Sequence, residues 1–143
     1  MTIVAAVDRT DRATRVIKEA EALADAFGED VHVLHVISES EFVDIEQASV
    51  EDTGQTVSVD RIKAAAKQQA EKAVDQVEAD HSAIGLVGKV DQKIIDYAEE
   101  QDASYIVLAP RKKSPTGKAL FGSVAQGVIL NAERPVVSIT VDR

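Results

Sequence analysis

The chain has no cysteine and no tryptophan, and only three phenylalanines and two tyrosines. Without cysteine there is no disulfide, no thiolate nucleophile and no thiolate metal site, which fits a cytoplasmic protein. With aromatics so scarce, the core has to be assembled from Val, Ile, Leu and Ala. Positive charge is also in short supply: 16 Lys and Arg stand against 25 Asp and Glu, a formal charge of −9. A surface of that sign is well solvated and argues against general nucleic-acid binding. An acidic chain rich in Ala and Val also suits a cell with high internal salt. No apolar stretch approaches a membrane span, and Thr2 to Val7 is a strand-length apolar run without the charged leader of a signal peptide.

What is present reads as one domain over residues 1–143, with neither internal repeats nor a linker. Ile3 to Val7 is a short apolar run that predicts a buried strand. Val16, Ile17, Ala20, Leu23, Ala24 and Phe27 then recur at helical spacing, and Gly28 stands where a helix end favours positive φ. Val31 to Ile37 predicts the second strand. Ser38 to Ser58 carries six acidic residues with little periodicity and predicts a mobile acidic loop, with at most a helical turn near Phe42 to Gln47. A helix follows, with Val59, Ile62, Ala66, Ala70, Ala73 and Val77 on one face. Ala83 to Val90 predicts the third strand, interrupted by Gly85 and Gly88, and Asp91 is placed to cap a short helix. Continuously apolar strands alternating with amphipathic helices predict an open, doubly wound, five-stranded parallel sheet with helices on both faces, Rossmann-like in class. In such sheets ligands sit beyond the carboxyl ends of the strands, here the loops after Val7, Ile37, Val87 and Ala109.

The most informative stretch runs from Tyr105 to Val124. An apolar strand, Tyr105 to Ala109, leads into a loop from Pro110 to Lys118. That loop holds Arg111, Lys112, Lys113 and Lys118, a basic cluster in an acidic chain. Gly122-Ser123 then opens an amphipathic helix, and Ser123 with Gln126 matches a capping box. Strand, turn-rich loop and helix N-terminus together form a seat for phosphate, because backbone N–H groups and the helix dipole both favour an anion.

This strand, loop and Gly-Ser-Val helix start, with a closing Arg-Pro-Val-Val strand, resembles the universal stress protein family over the whole chain. In nucleotide-binding members the marker runs Gly, two residues, Gly, nine residues, Gly, then Ser or Thr. Here those positions are Ala109, Lys112, Gly122 and Ser123, so the spacing is kept while the first two glycines are replaced. The resemblance implies ATP or another adenine nucleotide as ligand, with Mg²⁺ bridging its phosphates and no dedicated metal ligands. Backbone from Ala109 through Arg111 to Lys112, with Gly122, Ser123 and Val124, would hold the phosphates. Asp8 would contact ribose or base, Val36 or Ile37 would line the adenine pocket, and Gly88 would permit close approach. It further implies a dimeric, non-enzymatic stress-response protein, joined through the final strand, Val136 to Val141. The competing expectation is a dimer that has lost ATP and serves as an interaction scaffold. A slow ATPase or self-phosphorylating enzyme is a third class, for which no general base or positioned nucleophile is evident.

Other patterns fail on inspection. Thr116-Gly117-Lys118 lacks the preceding glycine of a P-loop and has Ala119 where Mg²⁺ needs a hydroxyl. The third strand does not end in the Asp that a phospho-accepting receiver needs. His32 and His35 lie three apart on one strand, face opposite ways, and read as structural. No Ser, His and Asp arrangement is recognisable from spacing.

Overall fold

The computed structural model describes residues 1–110 and 122–140. Short runs rich in Val, Ile and Ala form β1 (Thr2–Ala6), β2 (Asp30–Ile37), β3 (Ser82–Val87), β4 (Ala103–Leu108) and β5 (Val136–Ser138). Between them lie α1 (Arg12–Phe27), α2 (Glu39–Thr53), α3 (Val59–Gln76), α4 (Val90–Glu100) and α5 (Ser123–Asn131). Every strand pairing is parallel, in the order β3-β2-β1-β4-β5. The expected doubly wound α/β sheet is therefore what forms, and its strand order reverses between β1 and β4.

The period of two along each strand sorts the core into two layers. Ile3, Ala5, Val31 and Val33 face the buried stripe of α1 and the Ala70, Ala73 and Val74 face of α3. Val4, Leu34, Val36 and Ile106 face Ile94 and Ala98 of α4 and Ala125 and Val128 of α5. Small residues on the inner faces of α1 and α3 bring those helices close to the sheet. A very close approach occurs at Gly85 in β3, where an added Cβ would lie 2.1 Å from the Lys67 backbone nitrogen and 2.5 Å from the Lys63 carbonyl oxygen of α3. Gly28 ends α1 with φ 67°, as its place after Phe27 predicts.

The segment after β2 departs from expectation. Residues 39–53 are helical, not a loop. Ser38 is extended, its hydroxyl accepts from the Glu41 N–H at 3.1 Å, and the Glu41 carboxylate accepts from the Ser38 N–H at 3.3 Å. This reciprocal capping box opens α2, and Gly54 closes it with φ 74°. No α2 residue is fully buried; Phe42 and Ile45 only lean on a small cluster of Ile37, Ile62 and Ala66. The helix thus rests on its caps more than on packing. Ser38→Ala should cost about 1 kcal/mol. The loss should appear as faster amide hydrogen exchange across residues 41–53, with the global unfolding midpoint nearly unchanged.

Three smaller expectations are also corrected. The third strand ends at Val87: the Gly88 N–H makes the last ladder bond, to the Ile37 carbonyl at 3.0 Å, and its φ of 144° then turns the chain away. Lys89, not Asp91, is the N-cap residue of α4; Asp91 already lies in the first turn. The final strand is only Val136–Ser138, and Val141 lies outside the described residues.

Candidate functional site

At the reversal of strand order the carboxyl ends of β1 and β4 part, and a cavity of about 510 Å³ opens between their loops. That is a usual size for a small-molecule site. Asp8 and Arg12 after β1, Ala109 and Pro110 after β4, and Gly122, Ser123 and Val124 at the start of α5 all line it. Leu34, Val36, Val90 and Ile94 supply an apolar floor, and Ser38 and Glu41 at the start of α2 form part of the rim.

Asp8 is held firmly. Its Oδ1 accepts from the Thr10 N–H at 3.0 Å and the Thr10 hydroxyl at 2.5 Å, and its Oδ2 accepts from the Arg12 guanidinium at 2.6 Å. Burial pushes the carboxyl pKa up, but the hydrogen bonds from Thr10 and Arg12 outweigh it and hold the group below its usual range. The folded chain therefore binds this proton less well than the unfolded chain. The stabilisation is complete above the ordinary aspartate value of about 3.9 and is lost as pH falls through the depressed one. Asp8→Asn should cost about 1–2 kcal/mol at neutral pH. Denaturant titrations should show the gap to the parent protein holding down to about pH 4 and closing only below it.

The α5 part of the lining is a helix start, of opposite polarity to the Asp8 carboxylate. Gly122 is extended, with φ −63° and ψ 160°, and its carbonyl accepts from the Gln126 N–H at 3.0 Å, so Gly122 is the N-cap residue of α5. Ser123 is already the first helical residue. The expected Ser123–Gln126 capping box is one position out of register, and no side chain caps the helix from Gly122. The start of α5, with its first N–H groups and the positive end of the helix dipole, thus belongs to the cavity lining through Gly122, Ser123 and Val124.

Most of the residues singled out from sequence meet here: Asp8, Val36, Ala109, Gly122, Ser123 and Val124 all line the cavity. Ile37 does not; its side chain is buried against Ile62 and Ala66 on the opposite face from Val36. Gly88 is also not among the lining residues, and a Cβ there would meet the Lys93 side chain at 2.7 Å. Arg111 and Lys112 lie outside the described residues. Sequence reasoning missed Arg12, His35 and Glu41. Glu41 was legible as the partner of Ser38 in a capping box. Arg12 could have been found as the basic residue one helical turn beyond Asp8. His35 was read only as structural, and its Nδ1 does bond the Val7 carbonyl at 2.9 Å. His32 instead meets the Tyr97 hydroxyl at 2.7 Å.

A parallel sheet clad on both faces, with a switch-point cavity lined by both an anchored carboxylate and a helix N-terminus, defines a doubly wound α/β domain. Within that class the relationship is specific. The model of the universal stress protein family matches residues 1–139, and the chain belongs to that family. It is 32% identical to a universal stress protein from Archaeoglobus fulgidus, with 97% of this chain and 98% of that one covered and a TM-score of 0.67. The A. fulgidus protein in complex with dAMP matches at 32% identity, 97% coverage of both chains and a TM-score of 0.64. A universal stress protein of Methanocaldococcus jannaschii is 27% identical over 144 residues, 96% of this chain and 80% of that protein. Among the described residues, no helix is long and apolar enough to cross a membrane.

Proposed function

We propose that this protein is a non-enzymatic, dimeric stress-response module that binds an adenine nucleotide in the switch-point cavity. The observation that carries this is the pairing of ends: one cavity is walled by both Asp8 and the Gly122-Ser123-Val124 helix start. The α5 N–H groups and the Ser123 hydroxyl would take the phosphates, and Val36 would pack on the base. Asp8 would meet the ribose or base through whatever capacity its bonds to Thr10 and Arg12 leave. The dAMP complex of a relative at 32% identity supports the same ligand class. Any Mg²⁺ would arrive on the phosphates. Calorimetry with ATP, ADP and AMP, with and without Mg²⁺, tests the reading. Saturable heat is expected for at least one; no heat at millimolar ligand, in low and high salt, would favour the scaffold that has lost ATP.

The dimer would form through β5, which lies at the edge of the sheet. The Pro135 carbonyl and the Ile139 N–H bond to β4, so alternation turns the backbone groups of Val136 and Ser138 toward the open edge. Next to it, α5 exposes Leu130 at 71% and Ile129 at 39%. Ser138→Pro removes an outward N–H without touching the β4 ladder. It should convert a dimer to monomer in sedimentation at micromolar concentration; a parent protein already monomeric there would refute this interface.

A further inference from the structure

His35 is 5% exposed and lines the cavity, yet among the described residues only one of its ring nitrogens has a partner. Nδ1 bonds to the Val7 carbonyl, and a carbonyl only accepts, so Nδ1 carries the proton. Nε2 is left as a bare acceptor, buried and without a partner. Arg12 lines the same cavity, and its Nε–H is likewise buried and without a partner, although its other end is fixed on Asp8. Buried polar atoms are nearly always satisfied, and an exception calls for an explanation. Here an acceptor and a donor are both unsatisfied on two residues that line one ligand-sized cavity, on the α1 side of the sheet.

We propose that His35 is a specificity-determining residue, whose Nε2 accepts a hydrogen bond from an N–H or O–H group of the bound nucleotide, with Arg12 Nε–H as the complementary donor. This rests on the nucleotide reading above and deepens it. Two parts of an adenine ribonucleotide carry the required donor: the exocyclic amine of the base and a ribose hydroxyl. One ring thus has two separate jobs. Nδ1 ties the end of β1 to β2 in the empty protein, and Nε2 contributes only when a donor is present.

The test is a matrix of two variants against three ligands, read by calorimetry. His35→Asn keeps a donor near the Nδ1 position for the Val7 carbonyl and removes the Nε2 acceptor. His35→Gln places an amide near Nε2. The ligands are AMP, inosine monophosphate, whose base carries a carbonyl in place of the amine, and 2′-deoxy-AMP. The parent protein should bind one of the two altered ligands about tenfold more weakly than AMP, and the one disfavoured identifies the donor. In His35→Asn that discrimination should vanish, with AMP itself weakened about tenfold. His35→Gln should restore part of it. Equal weakening of all three ligands by His35→Asn, in step with a lowered unfolding midpoint, would mean a purely structural or water-bound ring and would overturn the inference alone. Failure of the parent protein to bind any of the three would overturn the nucleotide reading and this inference with it.

Discussion

Gly85→Ala should destabilise the protein by about 3 kcal/mol, lowering its unfolding midpoint by roughly 10 °C. The sign is what makes the result informative. At an unstrained strand position, Gly→Ala stabilises by about 0.4–1 kcal/mol, because it restricts the unfolded chain. Here the new Cβ would fall 2.1 Å from a backbone nitrogen and 2.5 Å from a backbone oxygen of α3, groups that cannot rotate away. Restoring an ordinary contact near 3.5 Å needs α3 to retreat by more than about 1 Å. That retreat would loosen Ile62, Ala66, Ala70 and Val74, all of them buried. Gly28→Ala provides the control. Gly28 has φ 67°, and a methyl group added there would meet nothing within 4 Å, so its cost is the left-handed backbone alone, about 1 kcal/mol. Thermal unfolding of both variants side by side distinguishes the two mechanisms. A Gly85→Ala protein as stable as its parent would mean that α3 does not sit on β3 as described.

The second large effect concerns ligand and not stability. Gly122→Asp should leave the unfolding midpoint unchanged or slightly raised and should weaken adenine-nucleotide binding by about 100-fold or more. Gly122 has φ −63°, which any L-residue adopts, and Asp is among the best N-cap residues. Its carboxylate would accept from the first N–H groups of α5, the same donors a phosphate needs, and would set a negative charge beside them. The variant thus improves the helix while occupying the anion seat. If calorimetry showed undiminished affinity, the phosphates would not lie at α5, and the proposed orientation of the nucleotide would have to be abandoned.

The layered fold was legible because its signals are local and repeated. Apolar runs of strand length alternate with stripes such as Val16, Ile17, Ala20 and Ala24, and that pattern alone implies a parallel sheet covered on both faces. The helix α2 escaped because only Phe42 and Ile45 lean inward, and a helix with so little buried surface has almost no periodicity to detect. Its signature lay in its ends, Ser38 with Glu41 and then Gly54. The site was legible where a family spacing or a strand end pointed to it, as at Asp8, Ala109 and Ser123. Choosing between Val36 and Ile37 required knowing that Ile62 and Ala66 of α3 cover Ile37, and the strand's own sequence does not record which helix lies over a residue. The roles of Arg12 and His35 depend on which of their nitrogens find partners across α1, β1 and β2, and no one-dimensional pattern records that.

The central place of β1 has a consequence for how the chain is made. β1 is followed closely along the chain by its neighbour β2, but its other neighbour is β4, roughly a hundred residues later. Until then one flank of this buried strand carries open N–H and C=O groups, and the side chain of Val4 lacks the Ile106, Ile94 and Ala98 neighbours of its face. Parallel pairing between such distant segments is slow to form, and an unpaired apolar strand is an aggregation hazard while it waits. Chains truncated before β4 should therefore accumulate as insoluble material during synthesis, and holdase chaperones should engage the nascent protein until β4 has emerged.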